Sequence, residues 1–487
     1  MADIEWLLEQ IETSPEGPQV AAFFDFDGTL IDGYSAAAFF RQRLRKGDIG
    51  LRELLSTLTE TMNVERRGHD VSELMRIGVQ AQAGRPIEEL DRWAHRVFAK
   101  SIAGMLYEQS RLLIDAHKRQ GHTVVIASSA TLPQIKPTAD DLGVDHIVCT
   151  EMEVDDEGFL TGELASDIRW GEGKAKGVQE FAALHRIDLE QSFAYGNGAE
   201  DVAFLESVGR PCALNPDEEL AEQARRRGWP SARLKNAAST SPLDVVRSAA
   251  AIGVFAGSIG AAAGLAVLNG SRRLGANVAA SAGSDLGLAA AGVRLDIVGE
   301  ENAWAERPAV FLFNHQSQLD VFVLGAVLRK DFTGVAKKEL EYNPMFGPIG
   351  YLADVAYIDR SNNARAREEL QPVVDALKAG RSIAIAPEGT RSPTARLLPF
   401  KKGPFHMAMQ AGVPVVPIVM RNCGEIMAAH SYVIHPGVVD VAVLPPVSTK
   451  GWTKANMERK IAEVRQMYLD TLADWPESDE DVARIVT

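Results

Sequence analysis

Cysteine is scarce in this sequence. Its three cysteines, Cys149, Cys212 and Cys423, lie far apart and form neither a disulfide framework nor the spacing of a metal site. Such usage is typical of a reducing compartment. An excess of positive charge is lacking as well, because the formal net charge is −15 at pH 7. This balance excludes a general nucleic-acid binder, although local basic patches can still meet a membrane.

A secretion signal is the third missing feature. Residues 1–5 (MADIE) are acidic, and no apolar signal core follows them, so we expect no export. What the chain does have is length: 487 residues, of which 46% are hydrophobic and 24% charged. One hydrophobic core seldom organises a chain of this length, which predicts two domains. The composition leaves the oligomeric state open.

The strongest functional pattern is at residues 314–320 (NHQSQLD). The apolar run 308–313 predicts a buried strand, and 319–328 predicts a helix. His315 then lies in the turn and Asp320 in the first helical turn, which brings an imidazole and a carboxylate together. A carboxylate that accepts from one ring nitrogen makes the other a better proton acceptor, so the pair would activate a hydroxyl of a substrate.

Three further blocks follow downstream. Residues 353–360 (ADVAYIDR) predict a strand that delivers Arg360, residues 383–392 (IAIAPEGTRS) predict a strand ending in a glycine turn, and residues 412–419 (GVPVVPIV) are an apolar stretch bracketed by prolines. Together with the His-and-Asp block, and in the same order, they resemble the glycerolphosphate and lysophosphatidate acyltransferase family. The resemblance covers roughly residues 299–446.

The resemblance implies acylation of lysophosphatidate to phosphatidate in phospholipid biosynthesis. His315 would take the proton of a glycerol hydroxyl as it attacks an acyl thioester, either acyl-CoA or acyl carrier protein, and Asp320 would orient it. The residues that would hold the glycerol phosphate are Arg360, Glu388, Gly389, Thr390 and Arg391. An arginine fork suits phosphate, and a glycine turn lets backbone amides approach it. Four lysines are either additional positive charge for phosphate or coenzyme A, or solvated surface residues: Lys337, Lys338, Lys401 and Lys402.

A second pattern lies at residues 23–30 (FFDFDGTL). An apolar lead-in places Asp25 at the end of a strand, Asp27 points the same way two residues later, and Gly28 permits a tight turn. Two carboxylates on one face are costly unless a cation or a phosphoryl group lies between them. The block resembles the haloacid dehalogenase superfamily of phosphatases.

Later motifs of that superfamily follow in order, and the resemblance covers residues 20–232. Residues 215–217 (NPD) and 228–230 (GWP) also look like its phosphoserine-phosphatase-like branch. The strand 123–128 ends in Ser128, which would bind a phosphate oxygen. Lys174 would neutralise charge on the transferring group, with Lys176 as the alternative. Residues 195–201 (YGNGAED) match the metal-binding loop.

The implied mechanism is nucleophilic: Asp25 forms an aspartyl-phosphate, and Asp27 protonates the leaving oxygen and then activates water. Mg²⁺ would be held by Asp25, the Asp27 carbonyl, Asn197 and Asp201. Asn197 departs from the family pattern, in which aspartate is more common, so the site loses a negative charge. Two alternatives remain open for this domain: an independent small-molecule phosphatase of the phosphoserine type, or, because of Asn197, a weakly active structural or regulatory module.

The predicted architecture is α/β throughout. We expect a haloacid dehalogenase-like domain at 1–235, with a doubly wound parallel sheet and a helical cap at about 32–120, then a linker at 236–247. Apolar membrane-associating helices would follow at 248–295, and an α/β glycerolphosphate-acyltransferase-like domain at 296–487. An amphipathic helix at 457–472 is expected to pack on the acyltransferase sheet.

The apolar segment predicts contact with membrane lipids. Residues 248–269 carry no charge and are long enough to cross a bilayer, and a second apolar stretch covers 274–293. A single crossing would separate the two domains, whereas both reactions suit the cytosol. We therefore favour a hairpin or a pair of helices dipping into one leaflet, at the cytoplasmic face of the cell membrane. The alternative is a buried Ala/Gly-rich helix of a soluble protein.

Overall fold

A computed structural model describes residues 4–46, 72–234, 241–338, 341–342, 347–358, 371–429 and 431–484. The chain folds as two compact units, Met1–Ala238 and Ser239–Thr487. Each unit has a sheet whose central strand is buried along its whole length or nearly so. Such strands read as short continuous apolar runs because both faces of the sheet are covered by helices.

The first unit contains a six-stranded parallel sheet and a separate antiparallel pair. Its strands are β1 (Ala21–Phe24), β2 (Thr123–Thr131), β3 (His146–Thr150), β4 (Met152–Val154), β5 (Leu160–Leu164), β6 (Phe193–Gly196), β7 (Arg210–Leu214) and β8 (Ser231–Ala232). The order across the large sheet is β3-β2-β1-β6-β7-β8. Alternate residues of β1 contribute to the hydrophobic clusters on the two faces. The predicted parallel α/β fold is confirmed.

Helices cover both faces of this sheet and form the cap. They are α1 (Ile4–Glu12), α2 (Ser35–Lys46), α3 (Ser72–Gln80), α4 (Ile87–Val97), α5 (Glu108–Arg119), α6 (Leu132–Leu142), α7 (Glu172–His185), α8 (Val202–Glu206) and α9 (Glu218–Arg227). The cap helices α2 to α4 stand between β1 and β2, whereas α5 already packs on β2 and belongs to the core. The cap therefore ends before the predicted limit at 120, and its residues 47–71 lie outside the described part of the chain.

The second unit is built on a seven-stranded sheet of order β12-β11-β13-β10-β14-β15-β9. Its strands are β9 (Val293–Val298), β10 (Val310–Phe313), β11 (Phe332–Lys337), β12 (Ala356–Ile358), β13 (Ser382–Ile385), β14 (Val415–Met420) and β15 (Gly437–Val443). All neighbours are parallel except β14 and β15. The strands predicted before His315, at 353–360 and at 383–392 correspond to β10, β12 and β13, and the apolar stretch 412–419 contains part of β14.

Helices of the second unit also lie on both sides of its sheet. They are α10 (Pro242–Asn269), α11 (Arg272–Ala291), α12 (Asn302–Ala305), α13 (Asp320–Leu328), α14 (Gly347–Leu352), α15 (Gln371–Lys378), α16 (Gly403–Ala411), α17 (Cys423–Ile426), α18 (Met457–Ala473) and α19 (Asp479–Arg484). As predicted, α18 packs on the sheet, with Ile461, Val464 and Tyr468 buried in the core around β10 and β14.

The long apolar helix α10 begins earlier than predicted. Ser241 is its N-cap, Pro242 occupies the first turn, and Asp244 completes a capping box with Ser241. The sequence placed these residues in a linker up to 247, but serine, proline and aspartate in this order start a helix efficiently. Among the described residues, α10 alone is long and apolar enough to cross a membrane on length and composition.

Helix α11 is the partner of α10 and lies between α10 and α13. Its small residues allow this close approach: a Cβ on Gly287 would lie 2.6 Å from the Phe322 ring, and one on Gly283 would lie 2.3 Å from Ser258 Oγ. The first residues of α11 are tied to the same unit, because Arg272 pairs with Asp354 and Arg273 with Asp331. Of the two predicted apolar helices, α11 is therefore largely a packing helix.

Candidate active sites

The first candidate site forms where β1 ends. Asp25 directly follows β1, which lies between β2 and β6, and its backbone N–H donates to the Tyr195 carbonyl at 2.8 Å. Ser128 lies on the neighbouring strand, two residues beyond Ile126, which is opposite Phe24. Because the carboxyl ends of parallel strands meet at one edge of a sheet, the two motifs and the loop after β6 converge beside Asp25.

Lys174 connects the carboxylates of this site. Its ammonium lies 2.7 Å from Asp25 Oδ1 and 2.5 Å from Asp201 Oδ1, and all three side chains are buried. Burial raises the pKa of Asp25 above its usual value, and the Lys174 charge opposes that rise. Burial alone would lower the pKa of Lys174, but the two carboxylates outweigh it and raise the pKa. The alternative lysine, Lys176, is exposed and pairs with Asp167 instead.

Asp27 points into a different environment from Asp25. Its carboxylate accepts the backbone N–H of Ser35 at 2.6 Å and the Ser35 hydroxyl at 3.1 Å. Burial raises the pKa of Asp27 to about 6, although these hydrogen bonds lower it. A carboxyl with a pKa near neutrality can give and take a proton. Ser35 was not predicted, because nothing in its local sequence marks it as a partner eight residues away.

Asn197 occupies the place where a cation ligand is expected. With its carboxamide nitrogen turned inwards, it donates to Asp27 O at 2.8 Å, Asp25 Oδ2 at 3.1 Å and Thr29 Oγ1 at 3.1 Å. The opposite orientation would place its oxygen against other oxygens. Asp201 is committed elsewhere, since its Oδ2 accepts the N–H groups of Asn197 and Gly198 at 3.0 and 3.3 Å.

These contacts allow the predicted Mg²⁺ site to be examined. Asp25 Oδ2 and the Asp27 backbone carbonyl both face the Asn197 carboxamide, and oxygen donors are what Mg²⁺ prefers. Asn197 can add a third oxygen only by turning its carboxamide over. No group of three His, Cys, Asp or Glu side chains in the described segments is arranged to hold a metal. The residues present fit a cation held by few charged ligands.

The second candidate site forms where β10 ends. His315 follows β10, and Asp320 is the first residue of α13. The two side chains meet, with His315 Nδ1 at 2.7 Å from Asp320 Oδ2. The same oxygen accepts the backbone N–H groups of Gln316 and Ser317 at 2.9 and 3.1 Å. Asp320 is fully buried, whereas the His315 side chain is 27% exposed, so its ring is open to a substrate.

Glu388 lies under this pair rather than in solvent. Its Oε1 accepts the His315 backbone N–H at 2.8 Å, and its Oε2 accepts the Leu398 N–H at 2.8 Å. The side chain is 2% exposed, and burial raises its pKa to about 7. The His315 carbonyl accepts the Ser392 N–H at 2.7 Å. Glu388 therefore joins the loop after β13 to the turn that carries His315.

The remaining predicted phosphate ligands lie on the same loop or outside the described residues. Gly389 has φ +75°, a left-handed conformation that favours glycine. Thr390 is exposed, and Arg391 is half-buried and donates to the Ala429 carbonyl at 2.6 Å. Arg360 lies outside the described residues. The four lysines proposed as additional charge are exposed: Lys337, Lys338, Lys401 and Lys402.

One residue of this site was missed by the sequence reasoning. Asn314 holds the end of β10 against β14: its Nδ2 donates to the Met420 carbonyl at 2.7 Å, and its Oδ1 accepts the Met420 N–H at 2.7 Å. Its position next to His315, in a motif already singled out, was the signal that could have found it.

Comparison with known proteins places two families on one chain. The haloacid dehalogenase-like hydrolase model matches residues 22–206, and the acyltransferase model matches residues 294–421. The chain is 38% identical to the 1-acyl-sn-glycerol-3-phosphate acyltransferase of Saccharomyces cerevisiae over 38% of its own length. That match spans only 61% of the yeast protein.

Two further similarities were found. The inhibition of morphological differentiation protein of Streptomyces azureus is 35% identical over 50% of this chain and 92% of its own. The crystal structure of the LPA acyltransferase PlsC from Thermotoga maritima is 21% identical, covers 48% of this chain and 98% of its own, and gives a TM-score of 0.42. The chain thus combines a segment similar to haloacid dehalogenase-like hydrolases with a segment similar to acyltransferases.

Proposed function

We propose that the second unit transfers an acyl group from a thioester, acyl-CoA or acyl carrier protein, to lysophosphatidate and so makes phosphatidate. The observation that carries this proposal is the contact at 2.7 Å between His315 Nδ1, on a partly exposed imidazole, and Oδ2 of the buried Asp320. The names of the acyltransferases that match the chain support the substrate class.

The reaction follows from the tautomer that Asp320 selects. Its carboxylate accepts the Nδ1 proton, which leaves His315 Nε2 as the proton acceptor. Nε2 takes the proton of the free glycerol hydroxyl as that oxygen attacks the thioester carbonyl carbon. The tetrahedral intermediate then collapses, the C–S bond breaks, and the thiolate leaves as a thiol with the proton held by His315. No acyl-enzyme is formed, so positioning and oxyanion stabilisation supply the remaining rate.

We assign the substrate phosphate to the loop after β13 and to Arg360. Gly389, Thr390 and Arg391 stand at the accessible side of this loop, and a guanidinium fork suits phosphate. Both carboxylate oxygens of Glu388 are engaged by backbone N–H groups, and a carboxylate repels phosphate. These contacts favour a positioning role for Glu388 over the predicted contact with phosphate.

The first unit is proposed to be a phosphomonoesterase. Asp25 would attack phosphorus and form an aspartyl-phosphate, while Asp27 protonates the leaving oxygen and later takes a proton from water. Lys174 would hold Asp25 in place and offset negative charge, and Ser128 would bind a phosphate oxygen. Bound Mg²⁺ would supply further charge neutralisation, held by Asp25, the Asp27 carbonyl and Asn197, with Asp201 shaping the loop.

The fusion suggests that this unit acts on phosphatidate or on the lyso form, giving diacylglycerol or releasing phosphate. A second candidate is a weakly active module, which Asn197 favours because its amide occupies the cation position without a negative charge. An independent phosphatase for soluble phosphomonoesters is the third, and hydrolysis rates unaffected by lipid would favour it.

We place the protein at the cytoplasmic face of the membrane through α10. One side of α10 is buried, but only 28% of the residues in its most apolar window are buried. Exposed apolar side chains include Val254, Val267 and Leu268. A helix that is apolar on its exposed side is stable next to lipid. Flotation with vesicles tests this: Val267→Asp with Leu268→Asp should release the protein, and Leu184→Asp, equally exposed on α7, should not.

One experiment separates the two activities. Phosphatidate formation from palmitoyl-CoA or oleoyl-CoA and phosphate release are followed in the same tube for wild type, His315→Ala and Asp25→Asn. We expect His315→Ala to abolish phosphatidate formation and Asp25→Asn alone to stop phosphate release. If wild type makes phosphatidate but releases no phosphate with Mg²⁺ present, hydrolysis of these lipids is refuted. An active His315→Ala variant would refute the assignment of His315 as the general base.

A further inference from the structure

Helix α18 contacts both segments that carry the second site, although it lies beyond the acyltransferase match, which ends at residue 421. It presents Arg465 and Tyr468 on one face, three residues apart. The contacts of these two side chains are directed at backbone carbonyls and not at a substrate pocket. They are therefore suited to holding the chain in place.

Tyr468 fixes the end of β10. Its side chain is fully buried, and its hydroxyl donates to the Leu312 carbonyl at 2.7 Å. Leu312 lies three residues before His315. The Tyr468 ring also meets the Phe400 ring edge to face, with centroids 5.2 Å apart. One side chain thereby contacts the strand that leads to His315 and the segment that follows Leu398.

Arg465 fixes the other segment. Its Nη2 donates to the Leu397 carbonyl at 3.0 Å and its Nε to the Leu398 carbonyl at 3.4 Å. The N–H of the same Leu398 donates to Glu388 Oε2, and Glu388 Oε1 accepts the N–H of His315. The Arg465 guanidinium is thus linked to the backbone of His315 through Leu398 and Glu388.

The charge of Arg465 also acts on Glu388. Burial raises the pKa of Glu388, Asp320 raises it further, and Arg465 opposes both, together with the N–H groups of His315 and Leu398. Burial raises the pKa of the Tyr468 hydroxyl, and the Glu388 charge raises it further. Loss of the positive charge would leave Glu388 more readily protonated, and a protonated carboxyl accepts two N–H groups poorly.

We propose that Arg465 and Tyr468 are positioning residues for acyl transfer, which set the place of His315 through Glu388 and the end of β10. The inference rests on the proposed function of this site. A small displacement of a reacting group lowers the rate of the chemical step more than it weakens substrate binding. The effect is therefore expected in kcat and not in KM.

The test compares Arg465→Gln, Arg465→Lys and Tyr468→Phe with the matched control Arg459→Gln. Arg459 is on the same helix, exposed and paired with Glu463. We expect kcat to fall roughly 10- to 100-fold in Arg465→Gln with KM nearly unchanged. The acid limb of its pH profile should move to higher pH, because Glu388 loses its cationic neighbour. Arg465→Lys keeps the positive charge, so the acid limb of its pH profile should lie at the wild-type pH. Tyr468→Phe should lower kcat without shifting the acid limb.

Hydrogen exchange provides a readout that does not depend on activity. Peptides containing the amides of His315 and Leu398 should exchange faster in Arg465→Gln and unchanged in Arg459→Gln. Unchanged exchange in these peptides overturns the proposal, as does a wild-type kcat and pH profile in Arg465→Gln. If exchange is faster in Arg465→Gln but the wild type acylates no lysophosphatidate, the structural link is supported and acyl transfer is refuted, so the two failures are distinguishable.

Discussion

Asp320 allows charge and geometry to be separated in the second site. Three donors converge on its Oδ2, namely His315 Nδ1 and the N–H groups of Gln316 and Ser317. Its other oxygen, Oδ1, is buried without a hydrogen-bond partner among the described residues. Burial, together with Asp320, raises the pKa of the Cys423 thiol. In Asp320→Asn the carboxamide oxygen can take the Oδ2 position and keep all three hydrogen bonds. Only the negative charge is then lost.

The magnitude follows from the difference between a charge-assisted and a neutral hydrogen bond, about 1 to 2 kcal/mol. Applied to the imidazolium that forms in the transition state, this lowers kcat roughly 5- to 30-fold. Asp320→Ala loses both charge and geometry, and the full general-base contribution of roughly 10²- to 10⁴-fold should disappear. Asp285→Asn, on an exposed residue paired with Arg329, is the control and should stay within about twofold of wild type, as surface pairs contribute little.

The assay is initial-rate acyl transfer to lysophosphatidate at saturating acyl-CoA, with circular dichroism to confirm that each variant is folded. Asp320→Asn and Asp320→Ala of equal activity would refute the argument that Asn preserves the geometry. Folded Asp320→Ala with a kcat within threefold of wild type would refute the assignment of the pair as the base and its orienting group.

Three further predictions concern the first unit. Lys174→Met leaves two buried carboxylates without a counter-charge and should lower the free energy of unfolding in urea by about 3 to 5 kcal/mol. Lys176→Met removes an exposed ion pair and should lower it by at most about 1 kcal/mol. Equal effects of the two substitutions would contradict a stabilising role of Lys174 between the buried carboxylates. Asn197→Asp should enlarge the rise in melting temperature produced by Mg²⁺, and a smaller rise than in wild type would contradict the assignment of the cation position. Burial and His122 lower the pKa of His117 well below 6.5, so stability is retained above about pH 6.5, where the unfolded chain is also neutral, and falls below it by about 1.4 kcal/mol per pH unit. Between pH 7.5 and 5.5 the free energy of unfolding in urea should fall by about 1.4 kcal/mol more in wild type than in His117→Gln. The raised pKa values of Asp25 and Asp27 act in the opposite direction in both proteins, and an equal change in both would contradict the prediction.

The parts of the sites that lie at strand ends could be predicted from the sequence. A buried apolar run followed by a turn fixes where a side chain emerges, so Asp25 after β1 and His315 after β10 followed from local pattern alone. Asp320 followed because the helix start was also marked. The geometry of these residues depends on contacts within a few positions of the chain, which is the range over which sequence patterns are informative.

Contacts between distant segments could not be predicted. The inward orientation of Glu388 depends on His315 and the contacts of Arg465 depend on a loop 67 or 68 positions away. The sequence around Glu388 looks like a phosphate-binding motif, and the sequence around Arg465 looks like an ordinary amphipathic helix. The start of α10 was missed for a different reason: Pro242 reads equally well as a linker residue or as the first turn of a helix, and the Ser241 cap decides between them.

The two sites stabilise their buried carboxylates differently, by a lysine ammonium in the first and by backbone N–H groups around Glu388 in the second. This difference determines how each site responds to pH and to cations. When both carboxylates are ionised, as nucleophilic attack by Asp25 requires, the triad of Asp25, Lys174 and Asp201 carries a net negative charge, which burial opposes by raising the pKa of Asp25 to about 8. A phosphate group is repelled by that negative charge unless a bound cation offsets it. Asn197 is neutral and does not strengthen the attraction for a cation. The activity of the first unit should therefore be limited by its affinity for the cation. Glu388 relies instead on backbone N–H groups and can take a proton close to neutral pH, since its pKa is about 7. The second site should therefore respond to pH near neutrality through Glu388, whereas the first should respond to pH through Asp27 and also to the concentration of a divalent cation.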